Sequence, residues 1–427
     1  MMPVVTKLFV LLLMAALLGR VFLSTAAYSG DLNNHVGWAQ SILHSGSSGA
    51  YDRKYTGIMP PTYPPLALYA FTTSTWIYNS LISLTLTANR NYPVFPSKLV
   101  WFWERQQVLP AFNKAIAIFS DIGIGVLIYY FLRRFLSHRP RLALTASAVY
   151  LFNPAVWYTS TIWGQIESMP LFFILLSYWL VYSHKFLPAH LAFAAALLSK
   201  QSTIIFFPVF LAFSLLRMGF KLTLKGLVLQ IVLLYFVYLP FFTAASPFWP
   251  ITTYLNRIRT GSGSDYISDH AFNLWALTTR LAKISDSRPA VFSLPSGTVA
   301  TAAFGILYLC LLLLLIKRPG YKNIFFLNAV IPALAFLVLT RMHERYFAPV
   351  LPFLVLAAAF SPGLWLVYVA GSVVHLANLY HLWWFPPIPP VIAWLSLWEN
   401  ITLLIIILSA AVAAMAVIYV RNQISSR

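Results

Sequence analysis

Apolar runs of membrane-crossing length recur along the chain, separated by short polar or basic segments. A helix that crosses the hydrocarbon core needs about 20 mostly apolar residues. On that pattern the chain predicts about twelve spans. They lie near 4–23, 111–132, 142–158, 168–183, 186–199, 202–217, 225–242, 295–316, 323–340, 346–360, 364–382 and 400–420. The first apolar stretch, Leu8–Leu18, resembles a signal-peptide core. No convincing small-residue cleavage site follows and more spans come later, so a retained helix is expected. The stretch Leu66–Ala88 is apolar enough to be a span. Counting it as one would export the basic cluster Arg133–Arg141. An interfacial or re-entrant segment of a long first outer loop, 24–110, is expected instead.

Composition sharpens this picture. Only 9% of the 427 residues are charged and 60% are hydrophobic. A soluble domain carries roughly 25% charged residues, so the expected solvent is the lipid bilayer. The net charge of +19 could suggest nucleic acid, but the basic residues form no single stripe. Most sit in short clusters between apolar runs, as the orientation bias of membrane proteins produces. With the N-terminus in the cytoplasm, Arg133, Arg134, Arg139, Arg141, Lys185, Arg217, Lys221, Lys225, Lys317, Arg318, Lys322, Arg421 and Arg427 all fall inside. The ten acids behave differently: none falls in a cytoplasmic loop. Asp121 is mid-span and the rest lie outside or at the outer boundary. The working surface is therefore expected on the outer or lumenal face. The single cysteine, Cys310, excludes an intrachain disulfide. No fixed-period repeat or soluble-domain boundary is evident, so residues 1–427 are expected to form one integral membrane domain.

Five outer segments hold most of the remaining polar chemistry. Gly30-Asp31-Leu32-Asn33-Asn34-His35 follows the first span; if helical, Asp31 and His35 share a face. Tyr63-Pro64-Pro65-Leu66 makes an extended-to-helix corner. Trp163-Gly164-Gln165-Ile166-Glu167 follows the bend at Asn153-Pro154. Ser199-Lys200-Gln201 places a cation in an apolar hairpin, where ionisable groups are costly and usually serve a partner or pathway. His343-Glu344-Arg345-Tyr346 ends another apolar run. Each has a plain structural reading: Trp163 as an interfacial aromatic anchor, Glu344 and Arg345 as a boundary ion pair, His35 as a hydrogen-bonded histidine. Asp121 is expected to bond polar groups on other helices, with Lys114 two turns away and too distant for direct contact. Together the segments supply a carboxylate, histidines, an amide and cations on one face. That set suits chemistry on a lipid phosphate, with cations for the leaving phosphate and a carboxylate for an acceptor hydroxyl's proton.

The ordered series Gly-Asp-x-x-x-His, Tyr-Pro-Pro-Leu, Gly-Gln-x-Glu, Lys-Gln, Asn273-Leu274-Trp275 and His-Glu-Arg-Tyr resembles the GT-C glycosyltransferases. It looks closest to the lipid-phosphate-glucose-dependent transferases of N-glycan assembly, the GPI-type mannosyltransferases and their bacterial relatives. The resemblance runs from about residue 25 to 350. It implies an all-α, polytopic enzyme with interfacial helices in the first outer loop, in a bacterial plasma membrane or the ER. It implies inverting transfer of a hexose, mannose or glucose, from a polyprenyl- or dolichyl-phosphate-sugar donor to a hydroxyl of a glycan or glycolipid acceptor. Asp31 matches the family's catalytic aspartate. Lys200, Arg345 and His343 are expected to hold the donor phosphate. His35, Tyr63, Gln165, Glu167, Gln201 and Glu344 are expected to position sugar or acceptor. The family's Gly-Gln motif usually carries Asp where this chain has Glu167. No Asp-x-Asp occurs in the first loop, and Trp383-Trp384 is followed by Phe385 rather than Asp, so no metal or cofactor is expected. The competing class is a multi-span transporter or flippase, whose hallmark of internal repeats is not evident here.

Overall fold

The prolines set much of the helix punctuation. Pro65, Pro140, Pro154 and Pro389 each open a helix, where the missing N–H would have had no intrahelical partner. The computed structural model describes residues 4–243, 246–260 and 264–424; Arg427, counted among the inner basic residues, lies outside them. The helices are α1 (Val4–Ser24), α2 (Gly30–Ser45), α3 (Pro65–Asn91), α4 (Ser97–Trp103), α5 (Val108–Phe135), α6 (Pro140–Leu151), α7 (Pro154–Trp157), α8 (Ser168–Tyr182) and α9 (Phe186–Ser199). They continue as α10 (Phe207–Met218), α11 (Phe220–Tyr238), α12 (Trp249–Thr260), α13 (Ala276–Thr279), α14 (Ser296–Lys317), α15 (Tyr321–Val338), α16 (Val350–Phe360), α17 (Leu364–Leu382), α18 (Pro389–Leu395) and α19 (Trp398–Ile424). A small antiparallel pair, β1 (Pro289–Val291) and β2 (Leu294–Pro295), precedes α14. The fold is thus all-α.

Among the described residues, seven helices are long and apolar enough to cross a membrane: α1, α5, Gln201–Met218, Phe220–Phe241, α14, α15 and α19. The other expected spans take different forms. Residues 168–183 and 186–199 form the apolar helices α8 and α9, of 15 and 14 residues. The expected span 142–158 is broken, because Pro154 disfavours a helical Asn153. Asn153 instead adopts φ −65°, ψ 121° and its side chain caps Ala155 N at 2.9 Å. The polar segment before Pro349 coils as a short 3-10 turn, which shortens 346–360 to the 11 residues of α16. The 364–382 expectation corresponds to α17. The stretch 66–88 lies within one uninterrupted helix, α3, about 40 Å long at 1.5 Å per residue. Its Thr72-Thr73-Ser74-Thr75 and Asn79-Ser80 positions keep it outside the seven.

The chain divides into two compact units. The first comprises Met1–Leu127, Thr159–Thr203 and Leu224–Gly261. In it α2 packs on α3, α3 on α9, and α8 on α9. Trp38, Tyr51, Tyr63, Phe71, Ile166, Leu198, Tyr238 and Phe241 belong to its core. The second comprises Ile128–Tyr158, Ile204–Thr223 and Ser262–Arg427. There α15 packs against α14, α16 and α19, and α17 against α16 and α19.

Asp121 is fully buried in the first unit and bonds polar groups, as the sequence leads one to expect. Ser160 Oγ donates to it at 2.6 Å, Ser168 Oγ donates to its other oxygen, and Arg20 Nε lies 3.4 Å away. Arg20, itself buried within α1, is a partner that the apolar pattern leaves unmarked. A hydrogen bond to a charged group contributes about 1.5–3 kcal/mol. Ser160→Ala is therefore expected to lower stability by about that amount. Denaturant titration of the detergent-solubilised protein reads the effect; unchanged stability would contradict the packing role.

Candidate active site

Asp31 stands in the first turn of α2, where the helix dipole and unpaired N–H groups stabilise an anion. Ser29, at the N-cap, donates its hydroxyl to Trp163 O at 3.0 Å and accepts no N–H bond from its own helix. That bond joins the start of α2 to the Trp163–Glu167 segment. Trp163 Nε1 donates to Asp31 Oδ2 at 3.0 Å, and Gln165 Nε2 donates to the same oxygen. Two N–H groups converging on one oxygen fix the carboxylate's plane. The interfacial-anchor reading of Trp163 is thereby overturned: the ring is only 3% exposed and its N–H is committed to Asp31.

The 163–167 segment has its conformation for identifiable reasons. Tyr158–Trp163 winds as a π-helix, a rare form that local strain or a functional site commonly accompanies. Gly164 and Gln165 both donate their backbone N–H to Thr159 O, at 3.1 and 2.9 Å, which closes that turn. Gly164 has φ +93°, a region essentially reserved for glycine. A Cβ there would also lie 2.4 Å from Leu32 Cδ1. Glycine is thus required twice, by backbone angle and by the approach of the Asp31 helix. Lys114 completes the clamp. Its fully buried ammonium donates to Ser24 O at 2.8 Å, to Ile162 O at 3.0 Å and to Ala27 O. One cation thus holds the end of α1, the α1–α2 link and the residue before Trp163.

The remaining first-unit candidates close a circuit of contacts. Lys200, extended at the end of α9, donates to Glu167 Oε1 in a buried ion pair. Its ammonium also lies 5.5 Å from the centre of the Tyr63 ring, within cation–π range. Tyr63 packs against His35, ring centres 5.5 Å apart, and His35 stacks on Phe71 at 4.2 Å. His35 is one helical turn from Asp31, which returns the circuit to Gln165 and Glu167. Gln201 opens the following 3-10 turn; it is buried and its Oε1 makes no hydrogen bond. Gln165 Oε1 is likewise buried without a hydrogen-bond partner. A half-buried, doubly anchored carboxylate beside amide oxygens, aromatic rings and a buried cation can take a proton from a hydroxyl and orient a polar substrate.

His343, Glu344 and Arg345 belong to the second unit and form a cluster of their own. Glu344 is fully buried and accepts from Arg345 Nη1 at 2.8 Å, so the expected ion pair is present. His343 Nδ1 lies 3.6 Å from Asp269 Oδ2 and 4.0 Å from Glu344 Oε2. Nearby, Asp286 accepts a two-pronged contact from Arg341, at 2.8 and 3.0 Å, and a bond from Thr340. Asp286 holds the Arg341 guanidinium above its ordinary pKa. Asn273-Leu274-Trp275 acts structurally. Asn273 Oδ1 caps Ala276 N at 3.1 Å, and Trp275 Nε1 donates to Val338 O at 2.7 Å.

Sequence reasoning does not place Lys114 or Trp163 at this site. The available signal is the cost of charge inside apolar spans, which applies to Lys114 and Arg20 as much as to Asp121. Among the described residues no group of three or more His, Cys, Asp or Glu side chains is arranged to hold a metal ion. No protein-family model matches the chain, and no curated protein matches it.

Proposed function

We propose that the protein transfers a hexose, mannose or glucose, from a polyprenyl- or dolichyl-phosphate-sugar donor to a hydroxyl of a glycan or glycolipid. The observation that carries this reading is the Asp31 carboxylate, fixed by Trp163 and Gln165 and linked through Glu167, Lys200, Tyr63 and His35 into one circuit. In this reading Asp31 takes the acceptor's proton as its oxygen attacks the anomeric carbon. The bond from that carbon to the phosphate oxygen breaks with inversion, and the electron pair leaves on the lipid phosphate. Lys200, held by Glu167, faces the phosphate. Gln165, Gln201, Tyr63 and His35 orient sugar or acceptor. The site lies on the outer or lumenal face, and the shorter helices complete a bundle of about twelve crossings. The membrane is a bacterial plasma membrane or the ER.

The test is direct. Purified protein in liposomes is supplied with labelled polyprenyl-phosphate-mannose or polyprenyl-phosphate-glucose and lipid-linked oligosaccharide. Labelled oligosaccharide and free polyprenyl phosphate are expected in equal amounts. If the protein consumes neither donor in the presence of acceptor, the reading fails.

A further inference from the structure

Helix α12 carries three distinct stripes. On the first, Tyr254 is buried, and Trp249 packs on Tyr238 and Phe242 with ring centres 6.0 and 5.5 Å apart. The Arg257 guanidinium lies 5.0 Å above the Tyr51 ring on the same side. On the second, Ile251, Leu255 and Ile258 follow at spacings of four and three, which sets them on one face. They are exposed by 36%, 52% and 36%. On the third, Thr252, Asn256 and Arg259 are exposed and polar. One stripe therefore packs on rings of the protein, while an apolar and a polar stripe run side by side on the exposed side of the helix.

The position of α12 along the chain says what covers the apolar stripe. Phe220–Phe241 is one of the seven helices fit to cross a membrane, and α12 begins eight residues after it. Tyr235, near the end of that crossing, donates its hydroxyl to Pro247 O at 2.7 Å, just ahead of α12. Phe236, Leu239 and Phe248 are exposed in the same region. They extend an apolar surface from the crossing to α12. An amphipathic helix beginning at the end of a span, with basic residues in its last turn, has the chemistry of a helix lying at the bilayer surface.

We propose that α12 lies in the membrane–water interface. Ile251, Leu255 and Ile258 rest against acyl chains, and Arg259 sits among the lipid phosphates. Trp249 and Tyr254 clamp the opposite stripe to the protein, so α12 would hold the first unit at the lipid surface whatever reaction that unit performs.

The single cysteine makes the test clean. Cys310 is exposed within α14, so spin-labelling the unaltered protein in phosphatidylcholine–phosphatidylglycerol vesicles gives a lipid-facing reference. In a Cys310→Ser background, single cysteines replace Ile251, Leu255 and Ile258 in turn, then Thr252, Asn256 and Arg259. Labels on the first three are expected to collide with oxygen more than with a water-soluble nickel complex, as at Cys310. Labels on the second three are expected to show the reverse. Three positions per stripe keep the comparison intact if one variant misfolds. The proposal is overturned if the Ile251, Leu255 and Ile258 positions are as open to nickel as the polar stripe. It is equally overturned if they are shielded from both reagents, which would mean a protein partner covers them. Loss of hexose transfer in the liposome assay would leave this result untouched.

Discussion

Asp31→Asn is expected to lower hexose transfer by at least about a hundredfold, the lower end for loss of a general base, while donor binding persists. The substitution preserves size and planarity. The amide can still face Trp163 Nε1 and Gln165 Nε2 through its oxygen, so the first turn of α2 should keep its place. What disappears is a group able to take the acceptor's proton. Single-turnover transfer and equilibrium binding of the polyprenyl-phosphate-sugar separate the two effects. Near-normal turnover would remove Asp31 from the chemistry. Lost donor affinity with unchanged turnover on saturating donor would make it a binding group instead.

The second large effect belongs to Lys200 and Glu167. Both side chains are almost wholly buried and joined by an ion pair. Removing one partner of such a pair strands the other charge, at a cost of about 3–5 kcal/mol. Lys200→Met and Glu167→Gln are each expected to lose stability on that scale. The double variant should recover much of the loss, because neutral pairs of similar volume are tolerated. The functional claim is separate and is read on the double variant. If Lys200 serves the donor phosphate, that variant folds but binds donor markedly more weakly. A double variant that is stable and retains normal donor affinity would assign the pair to packing alone.

Much of the all-α, membrane-type architecture is legible in the apolar periodicity, because lipid solvation demands long runs that few other contexts need. Helix breaks are less legible. Asn153-Pro154 reads as a bend, yet its combination with a π-turn cannot be seen without the Thr159 carbonyl that collects two N–H groups. At the candidate site, the sequence and its resemblance point to Asp31, His35, Tyr63, Gln165, Glu167, Lys200, Gln201, His343, Glu344 and Arg345; the structure links the first six in one circuit and gathers His343, Glu344 and Arg345 in a separate cluster of the second unit. The supporting contacts are hidden, because they depend on tertiary geometry. Lys114 bonds only backbone carbonyls, and a carbonyl has no sequence signature. Trp163 looks like a membrane-surface aromatic because nothing local reveals that its N–H meets an acid 132 positions away.

The brevity of α16 bears on how the chain is made. Eleven residues rise about 16 Å, roughly half the hydrocarbon thickness. Every residue from Val350 to Ala359 is buried, mainly by α15, α17 and α6. Such a segment gains its packed environment only once α17 has emerged to lie beside it, so the stretch from α15 to α17 is expected to fold as one cooperative unit. A chain halted just after Phe360 should expose a strongly apolar, unanchored end, a natural mark for quality-control proteases.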